Sequence, residues 1–169
     1  LVIHSTADAR QRSEAQMARM GRVPPGVVAN LGVELPAPGN APAGLAEGCY
    51  FVTLGTIEPR KNHALLLDVW ARLAARGGEV PTLLILGRRG WSNAAVFARL
   101  DALPADGPVR EVAGLGDAEV TALLQGAAGF LFPSFAEGFG LPPLEAASLG
   151  CPVVASDLAV TKELLGDYA

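Results

Sequence analysis

The sequence has few of the residues that hold metal ions or form disulfide frameworks. Its 169 residues include two histidines and two cysteines. His4 and His63 have no cysteine or carboxylate at ligand spacing, and Cys49 and Cys151 stand outside any CxxC motif or Cys/His cluster. We therefore expect no metal site. We also expect the cysteines to be reduced, buried thiols of a cytosolic protein rather than a disulfide.

Positive charge and long apolar runs are also scarce. The net charge is −4, and no basic run is longer than the pairs Arg60-Lys61 and Arg88-Arg89. A nucleic-acid-binding protein would normally show a basic face, so we expect no nucleic-acid partner. The longest apolar runs, such as residues 82–86, have the length of strands and fall far short of the ~20 residues of a membrane span. No signal peptide is recognisable, and we expect a cytoplasmic location.

Half of the residues are hydrophobic, and from residue 50 onward they form alternating strand and helix patterns. Short apolar runs predict strands at residues 50–54, 82–86, 109–113, 129–132 and 152–155. The segments between them predict helices that begin near Asn62, Asn93, Asp117 and Pro142. Such alternation is typical of right-handed βαβ units. The predicted fold is α/β, a Rossmann-like parallel sheet with helices on both faces.

Two further stretches precede this region. Residues 1–35 have the pattern strand, helix, strand, with Ser5 or Thr6 capping the helix. Residues 36–48 are crowded with proline and glycine, which predicts a linker. The predicted organisation is therefore a strand-helix-strand unit at 1–35, a linker at 36–48 and an α/β domain at 49–169.

The segment at residues 133–145 offers a site for an anion. In open parallel sheets ligands bind at the carboxyl ends of the strands, and this segment follows the fourth predicted strand. Two glycines flank Phe139 and let backbone amides approach a ligand closely. Pro142, as the first helical residue, leaves the free amides of a helix N-terminus to phosphate oxygens. Glu137 and Glu145 bracket this site, where carboxylates need hydroxyl donors such as those of sugars or ribose.

Three segments on these ligand-side loops form a recognisable series. Residues 137–145 have the pattern Glu-x7-Glu in the setting Pro-Ser-x-x-Glu-Gly-Phe-Gly-Leu-Pro. Gly-Thr-Ile-Glu-Pro-Arg-Lys-Asn precedes it at 55–62, and Gly-Cys-Pro-Val-Val-Ala-Ser follows at 150–156. The series resembles the family 4 (group 1) glycosyltransferases over nearly all of residues 50–169, and more weakly over 1–35. The resemblance implies the C-terminal, donor-binding lobe of a two-lobed GT-B enzyme, with 1–35 closing the N-terminal lobe.

The resemblance implies roles for individual residues. Glu145 would bind the ribose hydroxyls of the donor nucleotide. Glu137, the catalytic candidate, would face the donor sugar near its anomeric carbon. Backbone groups would complete the donor site, at the base for Leu115 and at the sugar or distal phosphate for the amides of Phe139, Gly140 and Leu141.

Arg60 and Lys61 have a rationale of their own. Cleavage of a sugar–diphosphate bond leaves negative charge on a nucleoside diphosphate, and paired cations opposite a helix N-terminus stabilise that charge. Many relatives carry an arginine where this sequence has Thr56, and Arg60 can substitute for it. The loop Arg88-Arg89-Gly90-Trp91 also lies on the ligand side. We expect it to be structural, with Trp91 packing it down.

The implied reaction is transfer of a hexose from a nucleoside diphosphate sugar to a glycan or lipid-linked acceptor, with retention of configuration and without metal or cofactor. Residues 58–62 resemble bacterial mannosyltransferases of lipopolysaccharide and exopolysaccharide assembly, which suggests GDP-mannose as donor and peripheral association with the inner face of the membrane. Two alternatives stay open: a nucleotide-sugar-binding module without transferase activity, and a GT-B relative such as an epimerase. A product assay separates them.

We expect the 169-residue chain to bind donor nucleotide but to transfer no sugar. The resemblance covers one side of a two-lobed cleft, since relatives place the acceptor surface upstream and continue beyond the position of Ala169. Alignment of the reacting groups supplies much of an enzyme's rate enhancement. Incubation with labelled donor and a membrane lipid extract should give no labelled product above background, and robust transfer would contradict this expectation.

Overall fold

Strands alternate with helices along the chain in the computed structural model, which describes residues 1–169. The elements are β1 (Val2–His4), α1 (Ala7–Arg19), β2 (Gly26–Val28), β3 (Tyr50–Leu54), α2 (His63–Arg76), β4 (Thr82–Leu86), α3 (Ala94–Asp101), β5 (Val109–Val112), α4 (Asp117–Gly126), β6 (Gly129–Phe132), α5 (Leu141–Ser148), β7 (Val153–Ala155) and α6 (Ala159–Leu165). Short 3-10 turns lie at Pro59–Lys61 and Gly166–Tyr168. None of the helices combines the length and the apolar content that a membrane crossing requires.

Five strands form one parallel sheet in the order β5-β4-β3-β6-β7. The central strand, β3, pairs along its whole length with β4 and over Phe51 and Val52 with β6. Every pairing is parallel, so all five carboxyl ends lie at one edge of the sheet. Because the chain leaves β3 first for β4 on one side and later for β6 on the other, the strand order reverses between β3 and β6, where open α/β sheets have their ligand-binding crevice. The predicted Rossmann-like parallel sheet is confirmed.

A hydrophobic core covers each face of this sheet. Leu84 and Leu86 of β4 belong to the core that includes buried side chains of α4, α5 and α6. Leu83 and Ile85 of the same strand belong to the core that includes α2 and α3. Successive side chains of a strand point to opposite faces, so a strand buried on both sides is a continuous apolar run. The predicted helices on both faces are confirmed.

β1 and β2 pair in parallel as a separate two-stranded sheet, joined by α1. The hydroxyl of the buried Thr6 accepts the N–H of Ala9 at 3.0 Å and caps α1, as predicted. The carboxylate of Glu163 in α6 accepts the amides of Ala7 at 2.7 Å and Asp8 at 3.3 Å. A carboxylate at a helix N-terminus satisfies free amides and opposes the helix dipole. The first helix is thereby fastened to the last.

The predicted linker, residues 36–48, contains no strand or α-helix. The N–H of Gly39 donates to the carbonyl of Ala118 at 2.9 Å, so this segment contacts the start of α4. Bonds such as this one and those of Glu163 cross the predicted domain boundaries. Such bonds neither define nor exclude a domain boundary, so the predicted division at residues 35 and 48 stays a prediction.

Two predicted helix caps are wrong. Asn62 has a left-handed conformation, with a φ of 55°, and makes no side-chain bond to the start of α2. Its side-chain amide instead donates to the carbonyl of Pro133 at 3.2 Å. α4 is preceded by Gly116, whose N–H donates to the carboxylate of Glu119 at 2.8 Å, and Asp117 is the first helical residue. The Asn62 amide is thus used by another partner, whereas at α4 the capping bond comes from Glu119 instead of Asp117.

Side-chain exposure corrects two further expectations. Cys49 and Cys151 are both free thiols, but only Cys151 is buried, whereas Cys49 is exposed just before β3. Trp91 does not pack its loop down, because 67% of its surface is exposed. That loop is held by Arg89, whose guanidinium bonds the carboxylate of Glu111 at 2.8 Å. The residue that holds the loop is therefore Arg89 instead of Trp91, and the structural role of the loop stays a prediction.

We expect Gly87→Ala to destabilise the fold by about 2 kcal/mol, as overpacking of a tight contact does. The loops after β3 and β4 approach so closely that a Cβ atom on Gly87 would lie 2.1 Å from the carbonyl oxygen of Gly55. Urea unfolding followed by circular dichroism measures the change. Gly32→Ala is the matched control, because a Cβ atom there meets nothing within 4 Å. Equal stability of the two variants would contradict the prediction.

Candidate functional site

The two loops that border the crevice are tied to each other by backbone and side-chain bonds. The N–H of Phe135, in the loop after β6, donates to the carbonyl of Arg60, in the loop after β3, at 2.8 Å. The Arg60 guanidinium in turn donates a hydrogen bond to the carbonyl of Ala136 at 3.0 Å. The Asn62 amide adds its bond to the carbonyl of Pro133. These bonds fix the loop after β3 against the loop after β6 and bring charged side chains from both together.

Four charged side chains, Glu58, Arg60, Lys61 and Glu137, form what we term the crevice cluster. One carboxylate oxygen of Glu137, Oε2, lies 2.6 Å from Nη1 of Arg60, and the other, Oε1, lies 2.9 Å from Nζ of Lys61. The second guanidinium nitrogen of Arg60 bonds the carboxylate of Glu58, which is only 3% exposed. The structure thus brings together the predicted residues Arg60, Lys61 and Glu137, and adds Glu58.

The electrostatics of the crevice cluster keep its members charged. Burial alone would raise the pKa of the Glu137 carboxyl, but the ammonium of Lys61, the hydroxyl of Ser134 and the guanidinium of Arg60 outweigh burial and lower it. Burial likewise works against the charged form of Arg60, yet its bonds to Glu137 and Glu58 raise its pKa. The cluster therefore has two positive and two negative charges at neutral pH, with a sum of zero.

The N-terminus of α5 lies beside this cluster. Lys61 Nζ lies 4.8 Å from the centre of the Phe132 ring, and the same ring borders Gly140, where an added Cβ atom would approach it to 4.0 Å. Gly140 precedes the helix in a left-handed conformation with a φ of 97°, which favours glycine. The helix begins at Leu141, one residue earlier than predicted. Of its first three residues only Leu141 has an N–H, because the next two are prolines; this amide has no partner within the helix and can receive an anion.

The side chains on either side of Gly140 differ in exposure. Phe139 is 9% exposed and belongs to the buried residues, whereas Leu141 is 37% exposed. Because Phe139 is anchored, the backbone that follows it is held at the mouth of the crevice. The predicted amides of Phe139, Gly140 and Leu141 therefore lie at the start of α5, next to the ring that Lys61 covers.

Glu145 and Leu115 line a separate cavity of about 280 Å³. Its wall includes two further carboxylates, those of Glu34 and Asp117. Burial raises the pKa of the Glu145 carboxyl, and the charge of Asp117 raises it further. The predicted site residues thus fall into two groups, the crevice cluster with the start of α5, and this acidic cavity.

Sequence reasoning missed the roles of Glu58, Asp117 and Glu34. Glu58 was visible within the Glu-Pro-Arg-Lys-Asn series, but no local pattern indicates which side chain it would bond. Glu34 reaches the cavity because residues 34–36 contact α4 across a long sequence separation. Such contacts leave no periodic signal. Local patterns could therefore identify the ligand-side loops but not every wall of the site.

Other features of the molecule lie away from this site. A cavity of about 440 Å³ lies between α2 and α3 at the amino end of β5, and none of the predicted site residues lines it. His63 lies in the first turn of α2, as predicted. Burial and the nearby Lys61 lower the pKa of His63 to about 4, so its imidazole is neutral at pH 7. No group of three or more histidine, cysteine or acidic side chains is arranged to hold a metal ion.

A family model described as "Glycosyl transferases group 1" matches residues 48–168, which include all eight predicted site residues. The chain belongs to the group 1 glycosyltransferases. It is 36% identical over 118 residues to O-antigen chain mannosyltransferase B of Escherichia coli, covering 70% of this chain and 31% of that protein. It is 32% identical over 128 residues to the serotype-specific mannosyltransferase WbdA of Escherichia coli, covering 75% and 16%. The chain therefore spans less than a third of the length of these relatives.

Solved glycosyltransferase structures share the fold. The Anabaena protein HepE, in complex with UDP and glucose, matches 96% of this chain with a TM-score of 0.74 and 20% identity, over 46% of its own length. The pneumococcal O-GlcNAc transferase GtfA, in complex with UDP and GlcNAc, matches 92% of this chain with a TM-score of 0.70 and 19% identity, over 30% of its own length. The group 1 glycosyltransferase domain thus has the GT-B fold.

We expect the carboxyls of Glu137 and Glu145 to titrate on opposite sides of the ordinary glutamate pKa of about 4.3. Neighbouring cations lower the pKa of Glu137, whereas burial and the charge of Asp117 raise the pKa of Glu145. Carbon-detected NMR of the side-chain carboxyls measures both. Asp117→Asn should lower the pKa of Glu145 and leave that of Glu137 unchanged.

The same shifts act on stability with opposite signs. Glu145 has a raised pKa in the folded state, so its contribution to the free energy of unfolding decreases as the pH rises through that pKa. Glu137 has a lowered pKa, so its contribution is present above the unfolded-state pKa and is lost as the pH falls. A pKa of Glu145 below that of Glu137 would contradict both statements.

Proposed function

We propose that residues 49–169 form the donor-binding part of a retaining glycosyltransferase, which moves a hexose from a nucleoside diphosphate sugar to a glycan or lipid-linked acceptor. The observation that carries this proposal is the meeting of Arg60, Lys61 and Glu137 beside the start of α5. These groups come from the loops after two adjacent parallel strands, where α/β sheets bind their ligands. The acidic cavity lined by Glu145 completes the arrangement.

The crevice matches the chemistry of a leaving nucleoside diphosphate. When the bond between the anomeric carbon and the phosphate oxygen breaks, negative charge builds up on the diphosphate. Arg60, Lys61 and the amides at the start of α5 are placed to stabilise that charge, the part that a divalent metal plays in other transferases. The acceptor oxygen bonds the anomeric carbon on the same face, and its proton passes to the leaving phosphate. During this step the Glu137 carboxylate accepts the hydroxyl hydrogens of the sugar and so orients it.

The acidic cavity favours a guanine nucleotide. Its wall presents the carboxylates of Glu34, Asp117 and Glu145, and no cationic or amide side chain. If Glu145 accepts the ribose hydroxyls, another carboxylate is left for the base. Guanine offers two adjacent N–H donors on one edge, which a carboxylate can accept together, whereas uracil offers one N–H between two carbonyl acceptors. The proposed nucleotide is therefore GDP.

Mannose is the proposed sugar because of the curated relatives. Of the two Escherichia coli proteins compared above, one is named an O-antigen chain mannosyltransferase and the other a serotype-specific mannosyltransferase. The two crystallised proteins described above contain UDP, but they are at most 20% identical to this chain and support the fold alone. We therefore place GDP-mannose before a UDP-sugar, with an O-antigen-type glycan as acceptor.

A calorimetric panel tests this proposal. GDP, UDP and ADP, each free and as a sugar conjugate, are titrated into the chain in excess EDTA, since no metal is expected to take part. We expect GDP and GDP-mannose to bind most tightly. Glu145→Ala should weaken the binding of GDP about tenfold or more, because a charge-assisted hydrogen bond is worth ~1.5–3 kcal/mol.

The matched control is Glu119→Ala, which removes a nearby carboxylate that bonds the backbone of Gly116 and does not line the cavity. It should bind GDP as the parent does. Parent-like affinity of Glu145→Ala would show that the ribose assignment is wrong. If binding strictly required Mg²⁺ or Mn²⁺, the metal-free mechanism would be wrong. If UDP bound more tightly than GDP, the assignment of guanine as the base would be wrong.

A further inference from the structure

The cations of the crevice cluster are already occupied. Each oxygen of Glu137 contacts a different cation, Oε2 that of Arg60 at 2.6 Å and Oε1 that of Lys61 at 2.9 Å. The Glu137 carboxylate is 6% exposed and Lys61 is 12% exposed, so the contact between them is shielded from water, whereas Arg60 is 43% exposed. Its two oxygens therefore fill the positions that two anionic oxygens of a diphosphate would take between these cations.

The carboxylates of the cluster also cancel the positive charge that would attract an anion. With Glu58 and Glu137 in place, the two cations are neutralised, and the crevice offers no net positive charge to an incoming anion. A diphosphate brought to Arg60 and Lys61 would also face the carboxylate of Glu137 at short range. Like charges in a partly buried site repel strongly. The anion and this carboxylate therefore compete for the two cations.

We propose that Glu137 and the diphosphate of the donor compete for Arg60 and Lys61, and that the displaced Glu137 carboxylate then accepts the hydroxyl hydrogens of the donor sugar. This inference rests on the proposed function and adds an exchange step to it. Glu137 thereby acts as a specificity-determining residue, which distinguishes a nucleoside diphosphate sugar from the nucleoside diphosphate alone.

The contacts of the cluster indicate which member moves. Arg60 keeps two partners when Glu137 leaves, the buried carboxylate of Glu58 and the carbonyl of Ala136. Lys61 stays over the ring of Phe132. Glu137, by contrast, is followed by Gly138, which is exposed and where an added Cβ atom would meet nothing within 4 Å. The cations therefore keep other contacts when Glu137 leaves, and the backbone that follows Glu137 is exposed and free of close neighbours.

The exchange has a consequence for affinity. A nucleoside diphosphate that displaces Glu137 leaves that carboxylate without its two partners, which is unfavourable. A nucleoside diphosphate sugar replaces the lost bonds with those of its own hydroxyls. The parent chain should therefore bind GDP-mannose more tightly than GDP, and this preference should depend on Glu137.

The test uses inorganic pyrophosphate, which has neither base nor sugar. Calorimetric titration compares the parent chain with Glu137→Gln, Glu137→Asp and Glu58→Gln. We expect Glu137→Gln to bind pyrophosphate about tenfold more tightly than the parent, the size of one charge-assisted hydrogen bond. Glu137→Asp keeps the charge but is one methylene too short to bridge both cations, and its affinity should lie between them. Glu58→Gln should bind no more tightly than the parent, since Arg60 loses its support.

The second measurement compares GDP with GDP-mannose. Glu137→Gln should bind GDP more tightly than the parent and should lose the preference for GDP-mannose. If the parent binds GDP and Glu137→Gln binds pyrophosphate and GDP no more tightly, the exchange is wrong and the proposed function stands. If no nucleotide of the panel binds the parent chain, both are wrong. A gain for Glu58→Gln equal to that for Glu137→Gln would also overturn the exchange, because it would reflect net charge alone. Thermal unfolding of each variant shows that it is folded.

Discussion

The parallel pairing of β3 with β4 on one side and β6 on the other determines where this domain can bind a ligand. It brings the loops that follow β3 and β6 to one edge of the sheet, at the point where open α/β sheets have their ligand-binding crevice. The loop after β3 has little freedom on its other side, because Gly87 brings the loop after β4 into direct contact with it. The positions of Arg60 and Lys61 follow from this confinement.

The crevice is electrostatically balanced rather than openly basic. Each of its cations has a carboxylate partner, and Arg60 has two. A site with free cations would attract many anions, including free phosphate. A balanced site responds only to a ligand that can replace the internal bonds, and selectivity then comes from how well the whole ligand compensates for them.

The sheet could be predicted from the sequence because its strands are short apolar runs buried on both faces. The strands at 50–54, 82–86 and 129–132 begin and end where the sequence indicates. The caps were less predictable, since the partner of Asn62 is the carbonyl of Pro133, 71 residues away. The last helix, α6, was not predicted at all. The site residues Arg60, Lys61, Glu137 and Glu145 came from resemblance and loop position. That the first three bond one another depends on tertiary structure, and no local pattern carries that information.

The two kinds of charged contact in this molecule differ in their response to dissolved ions. The bonds between Glu163 and the start of α1 are exposed to solvent, where counterions screen charge over about 10 Å at 0.1 M salt. The contact between Glu137 and Lys61 joins side chains that are 6% and 12% exposed, and it is screened much less. Ionic strength therefore weakens the attachment of the β1-α1-β2 unit to α6 before it alters the crevice.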